Sequence, residues 1–362
     1  MNQNWRAFLE SRSAIVSEPN GETRDHAGSA CFADAPVDAD CALVDLSHLG
    51  LIAVGGPEAA DFLQGQVSND IRELSDSHSQ LSSHCNPKGR MLANFRVLRI
   101  EQSIFLVLPR SQMEPLMKRL RMFLLRTKAS IDDASDALVC FGIVGNCADA
   151  ALGELFGALP VGDNDMTQAD AATLIRVAGL VPRYLFIGPA EQAQGLWQRA
   201  AEQAIEANAD LWALHDIRAG LPTVLPETSD AFVPQMLNMQ LIDGVSFTKG
   251  CYSGQEVVAR MHYLGKLKRR MYTAEVETDI APRPGDVLSV PGSKSEQAPG
   301  RVVDARAVAP GRYALLVVVE ISAAEGGEVR LASDGAADAG VEHADGPVRR
   351  CLGWPCRGWD RA

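Results

Sequence analysis

From Cys41 onward, apolar positions recur with two alternating periods. The run "ALVDLSHLGLIAVGG" reads as strand, and "PEAADFLQGQVSNDI" as a helix opened by Pro57, with Ala59, Phe62, Leu63 and Gln66 at helical spacing. "GRMLANFRVLRIEQSIFLVLPR" holds two β-like runs that reverse at Glu101-Gln102-Ser103, a hairpin. Ser111 and Glu114 form an S-x-x-E capping box ahead of Leu116, Met117, Leu120 and Leu124, an amphipathic helix. Strands "ALVCFGIVG" and "RYLFIG" then alternate with helices "ADAALGELFG" and "EQAQGLWQRAAEQAIEA". Strands covered by packing helices predict an α+β domain. A further helix, "LWALHDIRAG", stops at Gly220, with Pro222 just beyond.

After Gly265 the pattern changes. Short β-like runs, "RMYTAEVE", "DVLSV", "GRVVDARAV" and "RYALLVVVE", are parted by Pro/Gly clusters, which predicts a small β-barrel or sandwich. The chain therefore divides into an N-terminal extension (1–37), expected to be flexible, an α+β region (38–265), a C-terminal β-barrel (266–332) and a tail (333–362). The tail opens on "SDGAADAGVEHADGP", too poor in apolar surface to fold, so a disordered tail is expected. Trp354 and Trp359 beyond it have no assigned role.

Composition narrows the possible partners. With 362 residues, 46% of them hydrophobic, the chain has core material for two or three domains, and no apolar run nears the ~18 residues that span a bilayer. The opening segment lacks the pattern of a secretory signal, so a cytoplasmic protein with no membrane partner is expected. A net charge of -12 opposes direct nucleic-acid binding except at a local basic patch. Lys266, Lys268, Arg269 and Arg270 make one such cluster, suited to an acidic ligand or partner, or equally to a charged strand edge. Eight scattered cysteines read as reduced thiols, and Cys351 with Cys356 offer too few ligands for a metal. "VGGPEAA" has neither G-x-G-x-x-G nor the P-loop lysine.

The candidate chemistry lies in "FTKGCYSGQEVVAR", Phe247 to Arg260. A strand-like run, Val245-Ser246-Phe247, leads into Cys251 between two glycines, and a helix starts near Gly254. A thiolate is favoured by adjacent positive charge and by a helix N-terminus, which Lys249 and that helix can supply. Gly250 and Gly254 would leave the sulfur open and permit a tight backbone. Glu256 and Arg260 stand at i,i+4, with Val257, Val258 and Met261 free to face the core. The alternative is a Cys251 that is merely a small buried hydrophobe in a turn. His48, His84 and His262 are possible bases for the thiol, though surface or core positions suit them better.

"KGCYSGQEVVAR" closely resembles the signature of the YgfZ proteins, folate-binding relatives of the glycine-cleavage T-protein that support iron-sulfur enzymes. "FLQGQVSNDI", "HCNPKGRMLANFRVL" and "WALHDIRAGLPTV...FVPQMLNMQLIDGVSF" extend the resemblance in order from about Asp45 to near Glu320. It implies a T-protein-like fold of subdomains around a central channel that holds a tetrahydrofolate, with the cysteine loop nearby and the barrel alongside. Carried over, Cys251 and Lys249 are the reactive pair, and Gly250, Gly254 and Arg260 shape the motif. Trp212, Asn94, Arg218, Tyr252, Gln255 and Glu256 are the expected folate contacts. An indole is a suitable platform for a flat pterin, although Trp212 equally suits a helical core position. A second aromatic that contacts folate in some relatives falls near Leu49.

One departure separates helper from enzyme. T-proteins carry an acidic pair in the hairpin after an N-x-K-G-G turn; here the turn is Asn86-Pro87-Lys88-Gly89-Arg90 and the pair is Ala93 and Asn94. An amide cannot take up a proton as a carboxylate does. The resemblance thus implies a tetrahydrofolate-binding accessory protein for assembly or repair of iron-sulfur clusters in client enzymes, including tRNA-modifying ones, under oxidative stress. Its cofactor would be tetrahydrofolate or a one-carbon derivative, without a permanent metal, and its partners iron-sulfur client or assembly proteins. The alternative is a folate-dependent aminomethyltransferase or demethylase in which Asp70 or Glu256 replaces the missing acid.

Overall fold

The computed structural model describes residues 1–16, 28–289, 300–326, 329–331 and 347–350. Two sheets pack face to face and carry helices on their outer sides. One orders its strands Met166–Ala169, Ala172–Arg176, Arg183–Gly188, Val139–Val144, Ala42–Asp45 and Ile205–Ala207, antiparallel except for the last pair. The other runs Gln80–Cys85, Met91–Ile100, Ser103–Pro109, Leu49–Gly55 and Ser130–Asp133. The expected hairpin joins its second and third strands, with Glu101 in the left-handed region (φ 54).

Strand alternation splits each sheet between two cores. In Val139–Val144, Phe141 and Ile143 face an outer helical layer containing Leu152, Phe156, Leu196 and Trp197. Cys140 and Val144 face the other way, meeting Leu51, Phe105 and Val107 of the second sheet. The helix Arg110–Leu124 covers that sheet's far side through Met113, Leu116, Met117 and Leu120. Both faces of both sheets are covered, so the strands read as apolar runs rather than alternating ones.

The barrel is closed by Arg269–Glu277, Arg312–Glu320, Gly300–Ala309, Val287–Ser289, Val329–Leu331 and Pro347–Arg350. Leu315, Val317 and Val319 point inside it. Ala314, Leu316 and Val318 point outward into a core shared with Met91, Leu214, Ile217, Phe232 and Val258. The barrel is thereby fixed to the α+β region.

Several expectations are corrected. Residues 1–37 do not begin as a flexible extension: Gln3–Ser11 is a helix capped by Asn2, and its Trp5 is fully buried against Phe141 and Trp197. Trp5 Nε1 donates to Asp45 Oδ1 (2.8 Å), a buried carboxyl whose pKa is raised by desolvation. The signal was Trp5, Phe8 and Leu9 at helical spacing. No Ser111 cap forms, because Ser111 already lies within the helix, one residue past its start. "ALVDLSHLGLIAVGG" is two strands in different sheets, parted at Leu46 to His48. Cys41 and Cys147 form a disulfide with Cα atoms 6.0 Å apart, where reduced thiols were expected. Folding brings together cysteines 106 positions apart, which no spacing motif reveals. Within the stretch read as a disordered tail, Pro347–Arg350 forms a strand pairing with Ala274 and Glu275. Strand pairing uses backbone groups and needs little apolar side chain; the remainder, with Cys351, Trp354, Cys356 and Trp359, lies outside the described residues. Among the described residues no helix is long and apolar enough to cross a membrane.

Candidate functional site

The residues singled out by sequence fall into two places. The first is a cavity of about 130 Å³ where the inner faces of the two sheets, the helix Ala209–Ala219 and the barrel strand Gly300–Ala309 meet. Leu49, Val107, Val177, Leu185 and Trp212 give it apolar walls. Asn94, Arg96, Asp216, Asp304 and Arg306 give it charged and polar groups.

Trp212 is 6% exposed, so core and cavity readings both hold. Arg183, fully buried, lies over its indole at 4.7 Å and pairs with Asp216 at 2.8 Å. Asn94 Nδ2 donates to the Pro222 carbonyl and its Oδ1 accepts from Val224 N, both at 2.7 Å. The amide pins the segment that follows the Trp212 helix. Ala93 points to the opposite side of the strand, into the core beneath helix Arg110–Leu124. Arg96, two positions beyond Asn94, donates to Ser79 Oγ (2.8 Å) and Asn164 Oδ1 (2.7 Å), and burial lowers its pKa to about 10. Arg306 Nη1 pairs with Asp304 at 2.9 Å.

The other expected folate contacts lie elsewhere. Arg218 does not line this cavity: it grips Asp38 through both carboxylate oxygens (2.8 and 2.6 Å), holding that carboxyl below its ordinary pKa. Two positions past Asp216 on a helix, it is turned by about 200° from the cavity side. Tyr252, Gln255 and Glu256 are also absent from the lining, since they belong to the cysteine loop and its helix. Sequence reasoning missed Asp216, Arg96, Asp304 and Arg306. Helical i,i+4 spacing from Trp212 would have found Asp216, and strand period from Asn94 would have found Arg96.

The second place is the loop before helix Gln255–Tyr263. The strand-like Val245-Ser246-Phe247 is irregular, with Phe247 stacked on His262 at 3.7 Å. Gly254 is left-handed (φ +84), and a Cβ there would lie 2.4 Å from the Asn86 carbonyl oxygen. The loop is thus pressed against the Asn86 to Arg90 turn, itself closed by Gly89 N donating to Asn86 O (2.9 Å). Gly250 borders open space. Cys251 is exposed and free, which sets aside the buried-hydrophobe reading.

Lys249 is not positioned as expected. Its ammonium is buried and donates to the carbonyls of Val67 and Asn69, each at 2.7 Å, and lies 5.2 Å from the Tyr252 ring. Desolvation lowers its pKa to about 8. The charge anticipated beside the thiol is engaged with backbone oxygens instead. Tyr252 is buried, which raises its phenol pKa, and Gln255 Nε2 donates to Lys249 O (3.4 Å). Glu256 and Arg260 form an exposed pair at 2.8 Å. Of the helix's apolar residues, Val258 alone is fully buried. His48 and His84 are buried in other surroundings, and neither pairs with Cys251.

The family model for the GCVT N-terminal domain matches residues 34–213. The tRNA-modifying protein YgfZ of Yersinia enterocolitica is 32% identical over 292 residues, covering 81% of this chain and 88% of its own. That of Colwellia psychrerythraea is 33% identical over 246 residues, covering 68% and 75%. Among solved structures, the glycine cleavage system aminomethyltransferase T from Bartonella henselae superposes with a TM-score of 0.75 at 16% identity, covering 97% of both chains. The fold is therefore that of a T-protein.

Proposed function

This chain belongs to the YgfZ family, and from that membership we propose that it binds a reduced folate beside Trp212 and assists iron-sulfur enzymes, among them enzymes of tRNA modification. The observation that carries the reading is the convergence of Trp212 and Asn94 on one cavity with apolar walls and buried charged groups. A planar ring with polar edges suits that lining: the indole and Leu49 offer apolar contact, while Asp216 accepts and Arg96 donates hydrogen bonds. Its volume of about 130 Å³ suits one ring system, leaving the remainder of the ligand outside it. A bound tetrahydrofolate or one-carbon derivative supplies a carrier for a one-carbon unit. Cys251, exposed and outside the cavity, is accessible to a client protein.

Aminomethyl transfer gains no support from the candidate substitute acids. Neither Asp70 nor Glu256 lines the cavity; Asp70 caps a turn through Arg72 N (3.0 Å), and Glu256 is at the surface. Calorimetry with tetrahydrofolate tests the ligand: Trp212→Ala should weaken binding by roughly 1–3 kcal/mol if the ring stacks on the indole. No binding to the wild type would sink the folate reading. Complementation of a deletion strain with Cys251→Ala, scored by client-enzyme activity, tests the thiol. Full activity in that strain would remove Cys251 from the function.

A further inference from the structure

A second cavity, of about 420 Å³, shares no lining residue with the first and has no part in the folate reading. Its floor is apolar, from Ala231, Phe232, Met236 and Val318, and three guanidiniums, of Arg90, Arg269 and Arg301, surround it. Strand register explains the convergence. Val318 faces the core shared between barrel and α+β region, and Met271 and Arg301 are its partners across the two neighbouring strands. Arg301 therefore projects on that same side, as does Arg269, two positions from Met271. Arg90 arrives from the opposite wall, anchored by donating from Nη1 to the Ala231 carbonyl.

Among the described residues that line this cavity, arginines outnumber carboxylates. Among the described lining residues the carboxylate is Asp230, and its Oδ1 already accepts from Asn86 Nδ2. Glu320 lies 3.5 Å from Arg269. Arg301 makes no ion pair or side-chain hydrogen bond among the described residues, although it is partly buried. Clustered like charges repel one another, and a bound anion offsets that repulsion. Planar guanidiniums match phosphate oxygens in bidentate fashion. The volume exceeds what an inorganic phosphate fills, and the floor offers that ion no contact.

We propose that this cavity binds a small organic phosphate, its phosphate held by Arg301 and Arg269 with Arg90 opposite and its apolar body resting on Phe232, Met236 and Val318. Of the basic cluster in the sequence, Arg269 thereby gains a specific role.

Phenyl phosphate is the probe, with inorganic phosphate and phenol as half-ligand controls, measured by calorimetry on the full chain. Phenyl phosphate should bind more tightly than either control. Arg301→Gln should weaken it about tenfold or more, the loss of one charge-assisted hydrogen-bonded contact. Arg269→Gln provides a second reading, with circular dichroism to check that each variant is folded, and Trp212→Ala should leave the affinity unchanged. Equal binding of inorganic and phenyl phosphate, affinity unaffected by both arginine variants, or loss of affinity in Trp212→Ala would each overturn the proposal.

Discussion

The indole of Trp212 occupies the space that a side chain on Gly142 would need: a Cβ there would lie 2.3 Å from Trp212 Cε3. The tryptophan is thus positioned by a gap in the facing strand. Gly142→Ala should push the ring toward the cavity, destabilise the protein by roughly 1–3 kcal/mol and weaken tetrahydrofolate binding. Urea denaturation and calorimetry measure the two effects. An alanine variant of unchanged stability would show that the ring relaxes freely.

Asn94 uses its donor on Pro222 and its acceptor on Val224, so restoring an acid at this position is not neutral. Asn94→Asp should lose roughly 1–3 kcal/mol, because a carboxylate cannot donate to the Pro222 carbonyl. It should not gain aminomethyl transfer, scored as methylenetetrahydrofolate formed from an aminomethyl donor. Turnover in that variant would show that the missing acid alone separates this chain from the transferases.

The α+β core, the hairpin, the Gly220 helix stop and the barrel strands were legible because each rests on local periodicity or punctuation. Asn94 and Trp212 were singled out through motifs, and the fold brings both to the lining of one cavity. Lys249 could not be oriented from its neighbours in sequence, since its partners are the carbonyls of residues 67 and 69. That Arg218 pairs with Asp38 and does not line the cavity could not be read in advance, because helix phase relative to a distant Asp38 is a tertiary fact. The helix at residues 3–11 was overlooked because a polar, acidic stretch follows it and lowers the average apolar content of the whole extension.

His84 is buried, with Nδ1 2.8 Å from the Gln66 carbonyl and Nε2 3.0 Å from Arg119 Nε. This geometry fixes a neutral ring that donates through Nδ1 and accepts through Nε2. Burial first, and Arg119 after it, lower its pKa from 6.5 to about 4. Unfolded chains therefore bind an extra proton between those values. The stability is fully present above pH 6.5 and is lost as pH falls toward about 4, by roughly 3 kcal/mol in all. Asp38 and Asp136, whose pKa values are lowered from 3.8, contribute at still lower pH. Urea midpoints from pH 7.5 down to about 4.5 should decline, and His84→Gln should flatten that decline. A parallel decline in both proteins would remove His84 as its source.

Burial raises the thiol pKa of Cys85 and Cys140 to about 12, whereas Cys31 and Cys251 are exposed. Brief iodoacetamide treatment near neutral pH should label the exposed pair and spare the buried one. Lys249→Met should leave the labelling rate of Cys251 unchanged while destabilising the fold by roughly 1–3 kcal/mol, as two buried carbonyls lose their donor. A drop in labelling of about tenfold, one pKa unit's worth, would return the ammonium to the thiol.

The core that unites Cys85 and Met91, Leu214 and Ile217, Val258, and the barrel's Met271, Leu316 and Val318 also governs how the chain emerges from a ribosome. Its contributors are spread from residue 85 to residue 318, so a nascent chain released only as far as the cysteine helix carries Leu214, Phe232 and Val258 without the barrel face that completes their cover. Synthesis must deliver the strand Arg312–Glu320 before that core is complete. A truncation after Gly265 should accordingly yield an aggregating fragment rather than a smaller folded protein, and chaperone capture should peak between those two points of translation.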